Sequence, residues 1–209
     1  MRPTVIAAAA IVGVAAYLIA TNSQATQSVP QASPEDQPPP DNSTILDNVM
    51  STINNATTDI DSALQNENVQ AFLVLIRTGE GTLGPDGYRT MFGGGLFTDY
   101  SDHPRQAITR SGITSTAAGA YQFLSRTWDE MASKYDLPDF SPNSQDIAAV
   151  GLIKRRGALA DVIAGRFTAA INKCNREWAS LPGSPYGQPT LTYSRALQVL
   201  AANGGEAAA

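Results

Sequence analysis

The sequence predicts an α+β protein that is mostly helical, with one small β excursion just after the first helix of its main domain. Helix signals are strong in the second half of the chain, where proline and glycine mark helix starts and ends. The excursion is predicted between Thr82 and Gly112, where five glycines, several threonines and aromatic residues are typical of loops and a short hairpin. A hydrophobic N-terminal helix and a Pro-rich linker are predicted to precede this domain.

The first 25 residues are predicted to be a signal peptide or a weak membrane anchor. Residues 5–20 are sixteen apolar residues without a charge, and Arg2 precedes them. A spanning helix needs about 17–25 such residues, so this run is at the short limit. Ser23-Gln24-Ala25 has the small-x-small pattern that signal peptidase cleaves. Both interpretations predict that the rest of the chain is exported, and the second adds a membrane contact through residues 5–20.

A linker and a stalk separate this segment from the main domain. Residues 26–43 contain five prolines among Gln, Ser and Asp, a composition that favours extended polyproline II. Residues 44–66 place apolar side chains at helical spacing and are predicted to form an amphipathic stalk helix. The main domain is then expected over residues 67–209.

Charge and composition exclude several classes of function. Of the 209 residues, positions 26–70 contain seven acidic residues and no Lys or Arg. The chain from Ala71 onward has a net charge of +1. No basic stripe of the kind that binds nucleic acid is present. A single cysteine, Cys174, and a single histidine, His103, argue against a metal site or a disulfide. We therefore expect no cofactor and no metal.

Local patterns predict four helices in the second half of the chain. One begins at Ser141, which caps it ahead of Pro142, and continues to Gly157. The other three are expected at residues 120–131, 167–178 and 191–202. Lys154, Arg155 and Arg156 form a basic cluster at a helix end, where the helix dipole favours positive charge.

Glu80 stands alone between Gly79 and Gly81, four positions after the end of the mostly apolar run 69–76. One interpretation is a helix end at which Gly79 is the cap and Glu80 begins a solvated loop. The alternative is a half-buried acid at the helix end, facing the β excursion across a groove that fits a glycan. Burial and the negative helix end would both raise the pKa of Glu80 toward that of a general acid, and its glycine neighbours would leave room for a polymer.

A second carboxylate for a hydrolytic site is hard to find. Hydrolytic phage lysozymes carry Asp and Thr nine and fifteen residues after the glutamate, where this chain has Arg89 and Gly95. Asp86, Asp99 and Asp102 are candidates, but turn formation is the favoured role for each, as it is for His103 in Asp-His-Pro. One carboxylate acting first as acid and then as base is the logic of a lytic transglycosylase.

Several motifs resemble the phage lambda endolysin family. They are GGGLFTDYSDHPR (93–105), TAAGAYQFLSRTW (116–128), DFSPNSQD (139–146), KRRGAL (154–159) and WASLPGSPYGQ (178–188). The resemblance as a whole runs in the same order from about Ala71 to Gln188. The resemblance implies a lysozyme-like fold and a lytic transglycosylase. Such an enzyme cleaves the bond from N-acetylmuramic acid to N-acetylglucosamine, leaves 1,6-anhydromuramic ends and degrades the host cell wall. A hydrolysing muramidase and a non-catalytic wall-binding or virion subunit remain alternatives.

The resemblance also implies site residues. Glu80 matches the catalytic glutamate, Gln122 and Tyr186 match positions that line the saccharide cleft, and Tyr121 and Ser125 are possible neighbours, with core packing favoured for Tyr121. Cys174 matches a buried structural cysteine. Arg89 stands where the family has Asp, and the Gly-Gly-Glu of the family is Gly94-Gly95-Leu96 or Gly93-Gly94-Gly95 here, so the upper lip of the cleft is altered. Peptidoglycan is the expected partner, with no obligate protein partner, and the domain is expected in the periplasm, free or tethered to the inner membrane.

Overall fold

The computed structural model describes residues 59–208 as one helical body with a two-stranded sheet at its side. The predicted signal or anchor segment, the Pro-rich linker and the stalk helix as far as residue 58 lie outside the described residues. Residues 59–64 are helical, and Ile60 and Ala63 are buried in the core of the domain. In the part of the chain that the structure describes, no helix is both long and apolar enough to cross a membrane.

The central helix, α1, runs from Glu67 to Glu80 and packs against three other helices. It starts where the side chain of Asn66 accepts a hydrogen bond from the backbone N–H of Val69, which is a standard N-cap. It ends at Gly81, whose φ of 72° is the left-handed conformation that favours glycine at a helix end. Apolar side chains on most of its faces are buried, so α1 is the scaffold on which Glu80 is mounted.

The predicted β excursion follows α1 directly. Two short 3₁₀ turns, Gly87–Arg89 and Phe92–Gly94, lead to strands β1 (Ile108–Arg110) and β2 (Ile113–Ser115). The strands pair antiparallel, with Thr109 opposite Thr114 and the two hydroxyls 2.8 Å apart. This confirms a mostly helical α+β fold with one small sheet after the first domain helix.

Five further helices complete the body that the structure describes. They are α2 (Ser125–Tyr135), α3 (Pro142–Arg155), α4 (Leu159–Ile163), α5 (Phe167–Cys174) and α6 (Tyr193–Ala202). Helix α3 agrees with its prediction, including the Ser141 cap and proline in the first turn. Helix α6 starts two residues later than predicted, because the hydroxyl of Thr192 caps the backbone N–H of Arg195. Cys174 is buried at the end of α5.

Two predicted helices were wrong in their bounds. The helix predicted at 120–131 begins only at Ser125, because Ala118 pairs with Phe123 in a β-bridge and Gln122 has a φ of 50°. The helix predicted at 167–178 ends at Cys174. Beyond it the backbone turns, and the indole of Trp178 donates to the carbonyl of Tyr121, 3.2 Å away. In both cases long-range contacts override local helix propensity.

Candidate active site

Glu80 is the last residue of α1 and is almost fully buried, with 7% of its surface exposed. Burial raises the pKa of its carboxyl to about 7, because removing a carboxylate from water disfavours its charged form. A hydrogen bond from Ser180 acts in the opposite direction and lowers the pKa, but by less. The carboxyl therefore has a pKa near neutrality, which suits a group that must both donate and accept a proton.

Ser180 is the partner of Glu80. Its hydroxyl donates to Oε1 of Glu80 over 2.6 Å, and both residues are buried. A Cβ placed on Gly79 would lie 2.5 Å from the Ser180 hydroxyl oxygen, so a larger residue there would displace that hydroxyl. The interpretation of Gly79 as the helix cap was therefore wrong. Gly81 is the cap, and Gly79 makes room for Ser180.

The other flank of Glu80 is open. A Cβ on Gly81 would meet no atom within 4 Å, although the φ of 72° would still strain any other residue. The expectation that both glycines leave room for a polymer therefore fits Gly81 but not Gly79. The space beside Gly79 is filled by protein.

Three chain segments meet around Glu80 through buried hydrogen bonds. Thr82, two residues after Glu80, donates from its hydroxyl to the carbonyl of Ala120 over 2.5 Å. The neighbouring carbonyl of Tyr121 accepts from the indole of Trp178. Segment 119–123 is thus attached both to the end of α1 and to the loop that carries Ser180. These bonds fix the position of Gln122 relative to the catalytic candidate.

The side chain of Gln122 connects its loop by hydrogen bonds to the upper lip of the cleft, which we define as residues 89–97. Its side-chain amide donates to the carbonyl of Thr90 over 3.0 Å and to that of Gly119 over 2.9 Å. The backbone at Gln122 has a φ of 50°, a conformation uncommon outside glycine. The amide nitrogen is therefore engaged in positioning the loop.

Tyr121 belongs to the core. It is 2% exposed, and its hydroxyl donates to Asp146 Oδ1 over 2.6 Å. Tyr88 donates to the same oxygen over 2.8 Å, and the guanidinium of Arg77 lies 4.6 Å from the centre of the Tyr88 ring. Burial raises the pKa of Asp146. Packing and this polar cluster account for Tyr121, which we had considered as a possible substrate contact.

Ser125 and Tyr186 make their hydrogen bonds away from Glu80. Ser125 is the first residue of α2, where its backbone N–H donates to the hydroxyl of Thr116 over 3.1 Å. The hydroxyl of Tyr186 donates to the backbone carbonyl of Arg176 over 2.9 Å, and the residue is only half-buried. Tyr186 lies on the same loop as Ser180, six residues further along the chain.

The three carboxylates considered as a second catalytic group form hydrogen bonds and ion pairs with residues other than Glu80. Asp86 forms an ion pair with Arg89 at 2.5 Å, and Asp99 accepts from the backbone N–H of Ser101 at 2.8 Å. Asp102 pairs with Arg105 and accepts from the indole of Trp128. These contacts are those of turn-forming residues.

His103 is buried and fixes a loop. Its Nε2 bonds to the carbonyl of Phe123 at 2.9 Å, and its Nδ1 accepts from the backbone N–H of Arg105 at 3.0 Å. With Nε2 as the donor the ring is neutral, and burial lowers the pKa of His103 accordingly. The ring has no role as a general base here. Within residues 59–208, no group of three or more His, Cys, Asp or Glu side chains could hold a metal ion.

Two residues of the site were missed in the sequence. Ser180 is 100 positions from Glu80, and only its place in the motif WASLPGSPYGQ could have drawn attention to it. Gln145 is fully buried, accepts from the N–H of Ala120 over 2.8 Å and donates to the carbonyl of Tyr88 over 3.0 Å. It therefore links the loop of Gln122 to the segment before the upper lip.

A family model described as "Endolysin" matches residues 70–207. The endolysin of Escherichia phage lambda is 47% identical over 130 residues, which are 59% of this chain and 82% of the relative. The endolysin of Escherichia phage P2 is 41% identical over 155 residues, 66% of this chain and 94% of the relative. This chain belongs to the endolysin family.

Solved structures agree with the assignment of this chain to the endolysin family. A bacteriophage lambda lysozyme complexed with a chitohexasaccharide superposes with a TM-score of 0.65 at 43% identity, covering 68% of this chain and 97% of the other. A second structure of lysozyme from bacteriophage lambda gives a TM-score of 0.60 at 41% identity, covering 69% and 97%. The lysozyme-like fold that the motifs implied is confirmed. The endolysin is a lysozyme-like, murein-degrading enzyme.

Proposed function

We propose that this endolysin is a lytic transglycosylase that uses Glu80 alone as its acid and base. The observation that carries the proposal is the setting of Glu80. It is a buried carboxyl whose pKa is about 7, while Asp86, Asp99 and Asp102 are engaged in turns and ion pairs of their own. A hydrolase normally places a second carboxylate or an activated water opposite the acid. The positions that serve this purpose in hydrolytic phage lysozymes are Arg89 and Gly95 here.

The proposed reaction has two proton transfers through one group. Protonated Glu80 donates to the glycosidic oxygen as the bond between C1 of N-acetylmuramic acid and that oxygen breaks. The carboxylate left behind accepts the proton of the C6 hydroxyl on the same muramic residue, whose oxygen bonds to C1. The products are a 1,6-anhydromuramic end and a free N-acetylglucosamine hydroxyl, and Glu80 is again protonated. Water is neither consumed nor released.

The relatives support a glycan as substrate. The lambda lysozyme was solved with a chitohexasaccharide, a chain of amino sugars, and this chain covers 97% of that structure. We infer that such a glycan would lie along the open side of Gly81, between the loops that carry Gln122 and Tyr186. Peptidoglycan strands alternate two amino sugars and suit the same surface.

Mass spectrometry of the fragments that the protein releases from purified peptidoglycan tests the proposal. In ¹⁸O-labelled water, we expect fragments that end in 1,6-anhydromuramic acid and carry no label. Labelled fragments with a reducing muramic end would establish a hydrolysing muramidase instead. The Glu80→Gln variant is the control. It keeps the shape of the side chain but cannot donate an acidic proton, so it should release no fragments.

We also propose, on the sequence of residues 1–25, that the enzyme is exported and that residues 5–20 hold it at the inner membrane with the catalytic domain in the periplasm. Their weak apolar character fits a reversible anchor. N-terminal sequencing of the active periplasmic form tests this. A start at Met1 or Arg2 supports an intact anchor, whereas a start at Thr26 means cleavage of an ordinary signal peptide.

A further inference from the structure

The contact between Ser180 and Glu80 is fixed from both sides. The hydroxyl of Ser180 lies 2.6 Å from Oε1 of Glu80, a length typical of an O–H donor to a carboxylate. Ser180 is 4% exposed, so water does not compete for the hydroxyl. The missing Cβ of Gly79 provides the space that the hydroxyl occupies.

The backbone around Ser180 is also held in place. Its own carbonyl accepts from the N–H of Leu191 over 2.9 Å. Two residues earlier, the indole of Trp178 is bonded to the carbonyl of Tyr121. Two residues later, the carbonyl of Pro182 accepts from the side chain of Asn175 over 3.2 Å. The hydroxyl is thus presented to Glu80 by a loop anchored at three points.

We propose that Ser180 is a positioning residue that binds Oε1 of Glu80 and so reserves Oε2 for both proton transfers. This inference rests on the proposed role of Glu80 as acid and base. One carboxyl that acts twice must keep its place after it has lost its proton, when a buried charge would otherwise turn toward solvent. A hydroxyl that donates to Oε1 can hold the carboxyl in either protonation state, since the proton that moves is on the other oxygen.

The proposal has a consequence for the pH dependence of the reaction. The Ser180 hydroxyl favours the ionised form of Glu80, against the effect of burial. Without the hydroxyl the pKa of Glu80 rises further. Because the acid must be protonated to act, the alkaline limb of the profile of kcat/KM against pH moves to higher pH.

The first experiment compares Ser180→Ala with Ser144→Ala in the full chain, acting on soluble peptidoglycan strands. Ser144 is a matched control, since it is also buried and its hydroxyl also donates to a carboxylate, that of Asp139 at 2.9 Å. For Ser180→Ala we expect kcat to fall about tenfold to a hundredfold with little change in KM, and the alkaline limb to move up. For Ser144→Ala we expect the position of the limb to stay unchanged.

Gly79→Ala tests the same contact without removing the hydroxyl. Its new methyl group would lie 2.5 Å from the Ser180 oxygen and displace it, so kcat should fall and the limb should move in the same direction. The double variant, Gly79→Ala with Ser180→Ala, should shift the alkaline limb no further than Ser180→Ala alone, because both changes remove the same contact. If Ser180→Ala does not fold, Gly79→Ala decides.

Two results overturn the inference. One is a Ser180→Ala variant whose kcat and alkaline limb equal those of the wild type. If Ser180→Ala does not fold, the same result in Gly79→Ala overturns the inference. The other is a shift in Ser144→Ala as large as that in Ser180→Ala. Glu80→Gln separates this failure from failure of the proposed function. If Glu80→Gln is inactive, only the positioning role of Ser180 is refuted. If Glu80→Gln is active, the proposed role of Glu80 as the acid is refuted as well.

Discussion

Replacing Glu80 by glutamine is expected to stabilise the protein at alkaline pH while it abolishes activity. In the unfolded chain the carboxyl has its ordinary pKa of 4.5, whereas burial in the folded protein raises the pKa to about 7. Between these values the folded protein binds a proton that the unfolded chain has released. The free energy of unfolding therefore falls as the pH rises from 4.5 to about 7, and it stays low above that.

The size of the effect follows from the two pKa values. Each unit of difference corresponds to about 1.4 kcal/mol, so the ionisable carboxyl costs the folded protein about 3 kcal/mol at pH 8 relative to a neutral group. Glutamine has no charge to bury and retains an oxygen that can accept from Ser180. Glu80→Gln should therefore raise the free energy of unfolding by about 3 kcal/mol at pH 8 and change it little at pH 4.

Denaturant unfolding followed by circular dichroism at pH 4, 6 and 8 measures this difference. Asp61→Asn is the control, because it removes a negative charge from an exposed side chain. Its effect should be small at all three pH values. Equal stability of Glu80→Gln and the wild type at pH 8 would refute the reasoning, and so would a gain at pH 4 as large as that at pH 8.

Three further predictions concern the surroundings of Glu80 and the edge of the domain. Gln122→Ala and Tyr186→Phe should lower turnover and keep a cooperative thermal transition, and loss of that transition would make the residue structural. Tyr121→Phe should lower the free energy of unfolding by about 1 kcal/mol, because Asp146 loses one of its two tyrosine donors. Thermal melts would detect this, and an unchanged melting temperature with reduced turnover would return Tyr121 to the substrate site. Ile60→Ala should cost about 2–5 kcal/mol, since Ile60 is fully buried, and a stability equal to that of the wild type would show that residues 59–64 do not belong to the domain core.

The sequence predicted those elements whose signals are local. Helix α3 was located because Ser141 and Pro142 mark its start within two residues, and the glycine-rich stretch after α1 is indeed a loop with a short hairpin. The helix expected at 120–131 was wrong at its start for the opposite reason. Phe123 pairs with Ala118 in a β-bridge, and the carbonyls of Ala120 and Tyr121 accept hydrogen bonds from Thr82 and Trp178. These partners lie outside the short stretch of sequence from which a helix is predicted.

The same distinction holds for the site. Glu80 drew attention because a single acid between two glycines near an apolar run is a local pattern, and the resemblance to the endolysin family then gave it the role of catalytic candidate. The reason for Gly79 could not be found, because the atom that requires it belongs to Ser180, about a hundred residues along the chain. Helix capping is the commonest role of a glycine in that position, so local reasoning gave the role of Gly81 to Gly79.

One carboxyl can perform two opposite proton transfers only if neither protonation state is strongly favoured. Burial alone would hold Glu80 protonated, which suits the first transfer and hinders the second. A fully solvated carboxyl would be ionised at neutral pH and could not act as the acid. The structure balances the two, because the buried end of α1 raises the pKa and the Ser180 hydroxyl restrains the rise to about 7. Near that pH both forms are populated, as the proposed reaction through a single carboxyl requires.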